Sequence, residues 1–317
     1  MGASAIARKL KEISHLEWLD LSGNLFNGEE GIITQIMQGI KNQKNLFHFG
    51  LSMAPTTSRK EAFKCSEQMI SLLVANPKLV SICMDNSFVT PHAMAMLEKL
   101  LRQPNRKIAN LSFKYCFLDG TAIVHLCNGL AVNRSLVSLS LSSNGLSSLS
   151  GTQIVRALSH NIYLTNLDLS RNNLGDEFAV ELAKCLSSND ILWRVDISHN
   201  PITARGAEAL LKVLRENNDT LTSLGDIEAN LSMGVLTIRN INICLGTNRD
   251  NADGQHNKQT ERDKHTQEPV ELQTRLMIKD NSKVGTQTDY GGYKIMKPLS
   301  YVNNPVKTLG DFQMWNI

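Results

Sequence analysis

Between Ser135 and Ile202 the chain repeats one arrangement of apolar and polar positions three times. Leu136, Leu139, Leu141, Asn144 and Leu146 recur as Leu164, Leu167, Leu169, Asn172 and Leu174, then as Leu192, Val195, Ile197, Asn200 and Ile202. The step is 28 residues each time, and a fixed period of this size marks an array of stacked units. The Leu-x-Leu alternation predicts a short extended segment with its apolar side chains on one side. The runs that follow predict helices, with stripes at Ile154, Ala157 and Leu158; at Phe178, Leu182, Ala183 and Leu186; and at Ala207, Leu210, Leu211 and Leu214. The Asn between them leaves the strand and offers an amide to backbone groups of a neighbouring unit, which a buried turn must satisfy somehow. A strand–turn–helix unit cannot bury its apolar face alone, so neighbours must stack on it. An array of amphipathic helices explains neither the alternation nor the Asn at each turn.

The pattern extends toward the N-terminus with growing irregularity. First-leucine equivalents fall at Leu16, Leu46, Leu79, Ile108, Leu136, Leu164 and Leu192, with steps of 30, 33, 29, 28, 28 and 28 residues. Ala54-Pro55, Ser87 and Cys116 replace the Asn in the second, third and fourth units, and Thr56 to Phe63 reads as a bulging loop. Gly2 to Ile13 reads as the helical half of a unit whose strand is absent. After Leu214, the phrase Leu221-Thr-Ser-Leu224-Gly-Asp226 places Asp at an apolar position. The reading therefore closes the repeat array at residues 1–225 and assigns 226–317 to a mostly disordered tail. Residues 248–268 are almost devoid of apolar side chains and cannot bury enough surface to fold.

Composition narrows the setting. A net charge of +3 over 317 residues implies no broad field for nucleic acid or an anionic membrane. The six cysteines, Cys65, Cys83, Cys116, Cys127, Cys185 and Cys244, include no C-x-x-C pair, which fits reduced, packed thiols rather than a disulfide framework or a zinc site. With no signal-type apolar run and no stretch of about 18 apolar residues, the expectation is a cytoplasmic protein without cofactor, metal, nucleic-acid or membrane partner.

The repeated phrase resembles the leucine-rich repeat, and the 28-residue unit with a helical outer half, as in Asn173 to Leu186, resembles the ribonuclease-inhibitor class of it. The resemblance covers about residues 1 to 225. It implies an α/β solenoid shaped as a horseshoe, with parallel strands on the concave face and helices on the convex face. The class includes inhibitors, immune-receptor sensors, GTPase-activating proteins for Ran, actin regulators of the tropomodulin type and ciliary or centrosomal proteins, so fold alone does not select a function. Binding in the class generally uses the concave face. The residues between the leucines are the candidates here: Trp18, Asp20, His48, Asp85, Lys114, Asp168, Trp193, Arg194 and Asp196. Trp18, Trp193 and Arg194 lead, because large aromatic and Arg side chains are the usual anchors of interfaces.

In the tail, Val284, Thr286, Gln287, Thr288 and Asp289 resemble the Thr-Gln-Thr sequence recognised by dynein light chain, which accepts an extended peptide as an added strand. Gln287 would fill the central pocket. Catalytic signals are absent: there is no His pair at metal-ligand spacing, no Gly-x-Ser-x-Gly elbow and no phosphate loop. Two expectations follow. One is a non-enzymatic scaffold that grips a protein on its concave face and recruits dynein light chain by its tail, in a cytoskeletal, ciliary or centrosomal setting. The other is a regulator, inhibiting or activating an enzyme or small GTPase through the repeat surface.

Overall fold

The computed structural model describes residues 2–13, 15–24, 31–52, 59–230, 232–262, 289–290 and 293–294. Helix and strand alternate along the chain: α1 Gly2–Glu12, β1 Trp18–Asp20, α2 Ile32–Lys41, β2 His48–Gly50, α3 Arg59–Ala75, β3 Ser81–Cys83, α4 Pro91–Leu101, β4 Asn110–Ser112 and α5 Gly120–Leu130. They continue as β5 Ser138–Ser140, α6 Ser148–Leu158, β6 Asn166–Asp168, α7 Asp176–Leu186, β7 Arg194–Asp196 and α8 Ala204–Glu216. The seven strands form one parallel sheet in chain order. Parallel neighbours need a crossover, which each helix supplies. The result is a leucine-rich repeat solenoid whose sheet lines one side and whose helices line the other.

Strand register follows from the repeat. Leu19, Phe49, Ile82, Leu111, Leu139, Leu167 and Val195 are successive partners in a single row. From Phe49 to Val195 that row is at most 2% exposed, and Leu136, Leu141, Leu164, Leu169, Leu192 and Ile197 seal the same interior. Several helices start where a side chain caps them. Thr90, Asp119 and Ser147 accept from the backbone N–H groups of Ala93, Ala122 and Ser150, and Pro91 follows Thr90 at a position that needs no donor.

Two ladders of asparagines stitch the units together. In the first, Asn172 Nδ2 donates to the carbonyls of Leu141, Leu169 and Ser170, while its Oδ1 accepts from the N–H groups of Asn144 and Leu146. Asn144 and Asn200 make the corresponding bonds one unit back and one unit on. At the fourth unit, Cys116 fills the position and its thiol donates to the Met84 carbonyl at 3.2 Å, replacing the amide donor. Ser87 in the third unit is too short, and its buried hydroxyl has no hydrogen-bond partner among the described residues.

The second ladder lies where each helix returns to the sheet. Asn161 Nδ2 donates to the Leu130 and Asn133 carbonyls, Asn189 to those of Leu158 and Asn161, and Asn218 to those of Leu186 and Asn189. Their Oδ1 atoms accept from the N–H groups of Leu164, Leu192 and Leu221 in the following strand approach.

The array does not stop near residue 225. Leu221, Leu224, Ile227, Met233, Ile241 and Leu245 are all buried, and the first compact unit spans Met1–Asp250. Asp226, which broke the apolar pattern, is followed by Ile227, which takes the apolar place one residue late. A 3₁₀ turn, Ile227–Ala229, brings Asn230 into the first ladder, where its Oδ1 accepts from Asn200 N at 2.6 Å. A ninth helix, α9 Val235–Arg262, follows, and Asn248 on it extends the second ladder to the Asn218 and Leu221 carbonyls. The second unit is Asn251–Ile317; within it, β8 Asp289–Tyr290 pairs antiparallel with β9 Tyr293–Lys294.

Candidate functional site

Side chains flanking the buried row stand on the open side of the sheet, because alternate strand residues point to opposite faces. They form two rows. The first is Trp18, His48, Ser81, Asn110, Ser138, Asn166 and Arg194; the second is Asp20, Gly50, Cys83, Ser112, Ser140, Asp168 and Asp196. The middle of both rows is small and uncharged. The ends differ: an aromatic pair and one carboxylate at β1 and β2, an arginine and two carboxylates at β6 and β7.

Six of the nine predicted concave residues fall in these rows. Trp18 and His48 are register partners whose rings stack with centroids 4.9 Å apart and planes 12° from parallel. Burial pulls the His48 imidazole down to about 4 against an opposing pull from Asp20, so the ring is neutral at neutral pH. Its Nδ1 lies 2.8 Å from Ser81 Oγ. Arg194 is exposed on β7.

The carboxylates carry the turns as well as charge. The Asp20, Asp168 and Asp196 Oδ1 atoms each accept from the N–H two residues on, of Ser22, Ser170 and Ser198, at 2.8, 3.1 and 2.9 Å. Such bonds hold the chain as it leaves the strand. Asp168 Oδ2 also accepts from Ser140 Oγ at 2.7 Å and lies 3.4 Å from Lys114 Nζ. The Lys114 and Asp168 side chains are 29% and 26% exposed, so this pair contributes at most about 1 kcal/mol.

Three predicted residues sit elsewhere. Asp85 follows β3 and is withdrawn from the surface: it is 7% exposed, and its Oδ1 accepts from Ser112 Oγ and Lys114 N at 2.6 and 2.9 Å. Lys114 follows β4 and reaches over the face to Asp168. Trp193 precedes β7, half-buried at the leading edge of the strands with Val137 and Thr165, whose backbones form the same ladder. It therefore does not share a row with Arg194. Val284, Thr286, Gln287 and Thr288 lie outside the described residues.

The rim beyond the strands holds residues that the repeat phrase did not flag. Tyr115 and Phe117 take left-handed backbone conformations, φ 54° and 51°, and are 50% and 68% exposed. Phe117 stacks on Phe88 at 5.0 Å. The signal was available: two aromatics flank the cysteine that replaces the ladder Asn, in a loop that leaves only its pattern residues inside.

Burial, with Asp85 beside it, pushes the Cys83 thiol far above its ordinary range, so no thiolate forms near neutral pH. Among the described residues, no group of three or more His, Cys, Asp or Glu side chains is placed to hold a metal ion. No helix among them is long and apolar enough to cross a membrane. A bed of hydroxyls, amides and small side chains between charged ends can exchange hydrogen bonds with a closely approaching macromolecular surface.

The family described as "Leucine Rich repeat" matches residues 132–152, 160–183 and 192–211, each span beginning near a ladder Asn or first leucine. These units are leucine-rich repeats. Human "NACHT, LRR and PYD domains-containing protein 12" is 31% identical over 81 residues, 26% of this chain and 8% of that protein. The chain thus matches less than a tenth of that relative's length. Among solved structures, "Leiomodin-1 Actin-Binding Site 2 (ABS2)" is 19% identical with a TM-score of 0.40, covering 46% of this chain and 82% of that one. The Caenorhabditis elegans tropomodulin C-terminal domain is 11% identical, also at 0.40, covering 63% and 98%.

Proposed function

We propose that this protein is a non-enzymatic binding module that takes a protein partner on the open face of its sheet. The observation that carries this reading is the pair of strand rows, whose centres are Ser81, Asn110, Ser138 and Asn166 in one and Gly50, Cys83, Ser112 and Ser140 in the other. Small polar residues let another surface approach the strands closely, and the charged and aromatic ends supply anchors of the kind that dominate interfaces. A broad, shallow bed of this kind suits a macromolecule better than a small molecule, which needs a concave apolar pocket.

Finer assignments belong to the same proposal and rest on sequence. They are membership of the ribonuclease-inhibitor class, recruitment of dynein light chain through Thr286, Gln287 and Thr288, and a cytoskeletal or ciliary setting. Regulation of an enzyme or GTPase through the repeats would use the same face.

The test compares affinity capture by the full chain with capture by Ser138→Arg, which plants a long cation in the middle of the first row, and by Glu208→Arg on the exposed side of α8. Partners lost only with Ser138→Arg support the open face. Partners retained there and lost with Glu208→Arg move binding to the helices.

A further inference from the structure

The β1 end of the face differs from the rest in holding two aromatic rings and an unneutralised carboxylate. The Trp18–His48 stack runs across the sheet, from β1 to β2. Trp18 stands at the outermost described strand and keeps part of its indole exposed. Asp20 lies two residues along β1 on the same side, near enough for its charge to act on His48. Among the described residues no Lys or Arg pairs with Asp20, whereas Asp168 has Lys114 at 3.4 Å. Gly50, the register partner of Asp20, presents no side chain, and the Asp20 carboxylate lies over it, in the space where a Cβ would meet Oδ1 at 2.5 Å. With His48 neutral at neutral pH, the corner combines aromatic faces with uncompensated negative charge.

The complement of such a corner is a flat cation. A guanidinium stacks on an indole and donates in a fork to a carboxylate in one pose, while an ammonium satisfies the charge without the plane. We propose that Trp18, His48 and Asp20 form a seat for an arginine side chain of the protein that docks on this face. The inference rests on the open face being the binding surface, and it names one chemical anchor of that partner.

The probe is a library of random peptides selected on the immobilised full chain, followed by synthetic versions of the selected peptides. Selected sequences are expected to share an Arg at one position. Its replacement by citrulline, which keeps the shape and removes the charge, should weaken binding about tenfold to the wild type and about twofold or less to Asp20→Asn. Asp20→Asn keeps an acceptor oxygen for the Ser22 N–H, so the turn survives. Trp18→Leu, checked for an unchanged thermal transition, should abolish the Arg preference independently. An empty selection, no Arg enrichment, or an equal citrulline penalty in Asp20→Asn overturns the seat. Peptides that ignore Asp20 yet are lost with Ser138→Arg would remove the seat and leave the open face standing; peptides indifferent to both changes would remove both.

Discussion

Replacing Asn172 by Ala removes the central rung of the first ladder, and the structure sets what that costs. The Asn172 side chain is engaged in five hydrogen bonds and is 8% exposed. Three involve carbonyls that keep another partner. Leu141 O retains Asn144 Nδ2 at 3.0 Å, Leu169 O retains Asn200 Nδ2 at 3.1 Å, and Ser170 O retains the Ser143 N–H at 3.0 Å. The other two are the N–H groups of Asn144 and Leu146, which donate to Asn172 Oδ1 at 2.9 and 3.0 Å and have no other acceptor among the described bonds. A buried donor left without a partner costs roughly 1–3 kcal/mol. Asn172→Ala should therefore lose about 3 kcal/mol, a fall of roughly 6–12 °C in midpoint for a unit of this size. Urea titration followed by circular dichroism measures the loss, with Asn105→Ala, an exposed asparagine, as a control expected within about 0.5 kcal/mol. Amide exchange at Asn144 and Leu146 should accelerate more than elsewhere in the unit. A loss no larger than that of Asn105→Ala, or unchanged exchange at those two amides, would refute the ladder as the source of cohesion between units.

Two further expectations concern single positions. Gly225 has φ +78°, and a Cβ there would run into the Asp196 carboxylate, so Gly225→Ala should cost about 2 kcal/mol or more, while Gly246→Ala, facing open space, should be neutral or slightly stabilising; denaturation midpoints distinguish them. His48 has an ordinary value of 6.5 and is held at about 4 when folded, so the unfolded chain binds the proton first and stability falls as pH drops from 6.5 to 4, by up to about 3 kcal/mol; His48→Gln should flatten that slope, and an unchanged slope would contradict a buried neutral ring.

The first-ladder asparagines and the inward leucines were legible because each obeys a strict spacing and its role is local. Leu139, Leu167 and Val195 meet in one row as their alternation required. The second ladder was equally periodic, at Asn133, Asn161 and Asn189, but it lies in the return from helix to strand, where an asparagine looks like any loop residue. The end of the array was misplaced for a different reason. A one-residue shift moves an apolar position out of phase, so Asp226 read as a break, whereas a glycine in the left-handed region and a 3₁₀ turn let Ile227 restore the packing. At the site, strand alternation placed Trp18, Asp20, His48, Asp168, Arg194 and Asp196 on the open face. It did not reveal that Asp85 is consumed by Ser112 and Lys114, since that depends on which side chains the neighbouring unit presents. Trp193 was read as a strand residue because it lies between the apolar positions Leu192 and Val195, whereas β7 begins only at Arg194.

The central claim is that the open sheet face, and not the helical face, takes the partner. Its most direct measurement is the affinity of one captured protein for the wild type, Ser138→Arg and Glu208→Arg, each with an unchanged unfolding midpoint. A loss of about tenfold or more is expected for Ser138→Arg and little change for Glu208→Arg. Equal affinity of Ser138→Arg and wild type, with binding lost in Glu208→Arg, would contradict it.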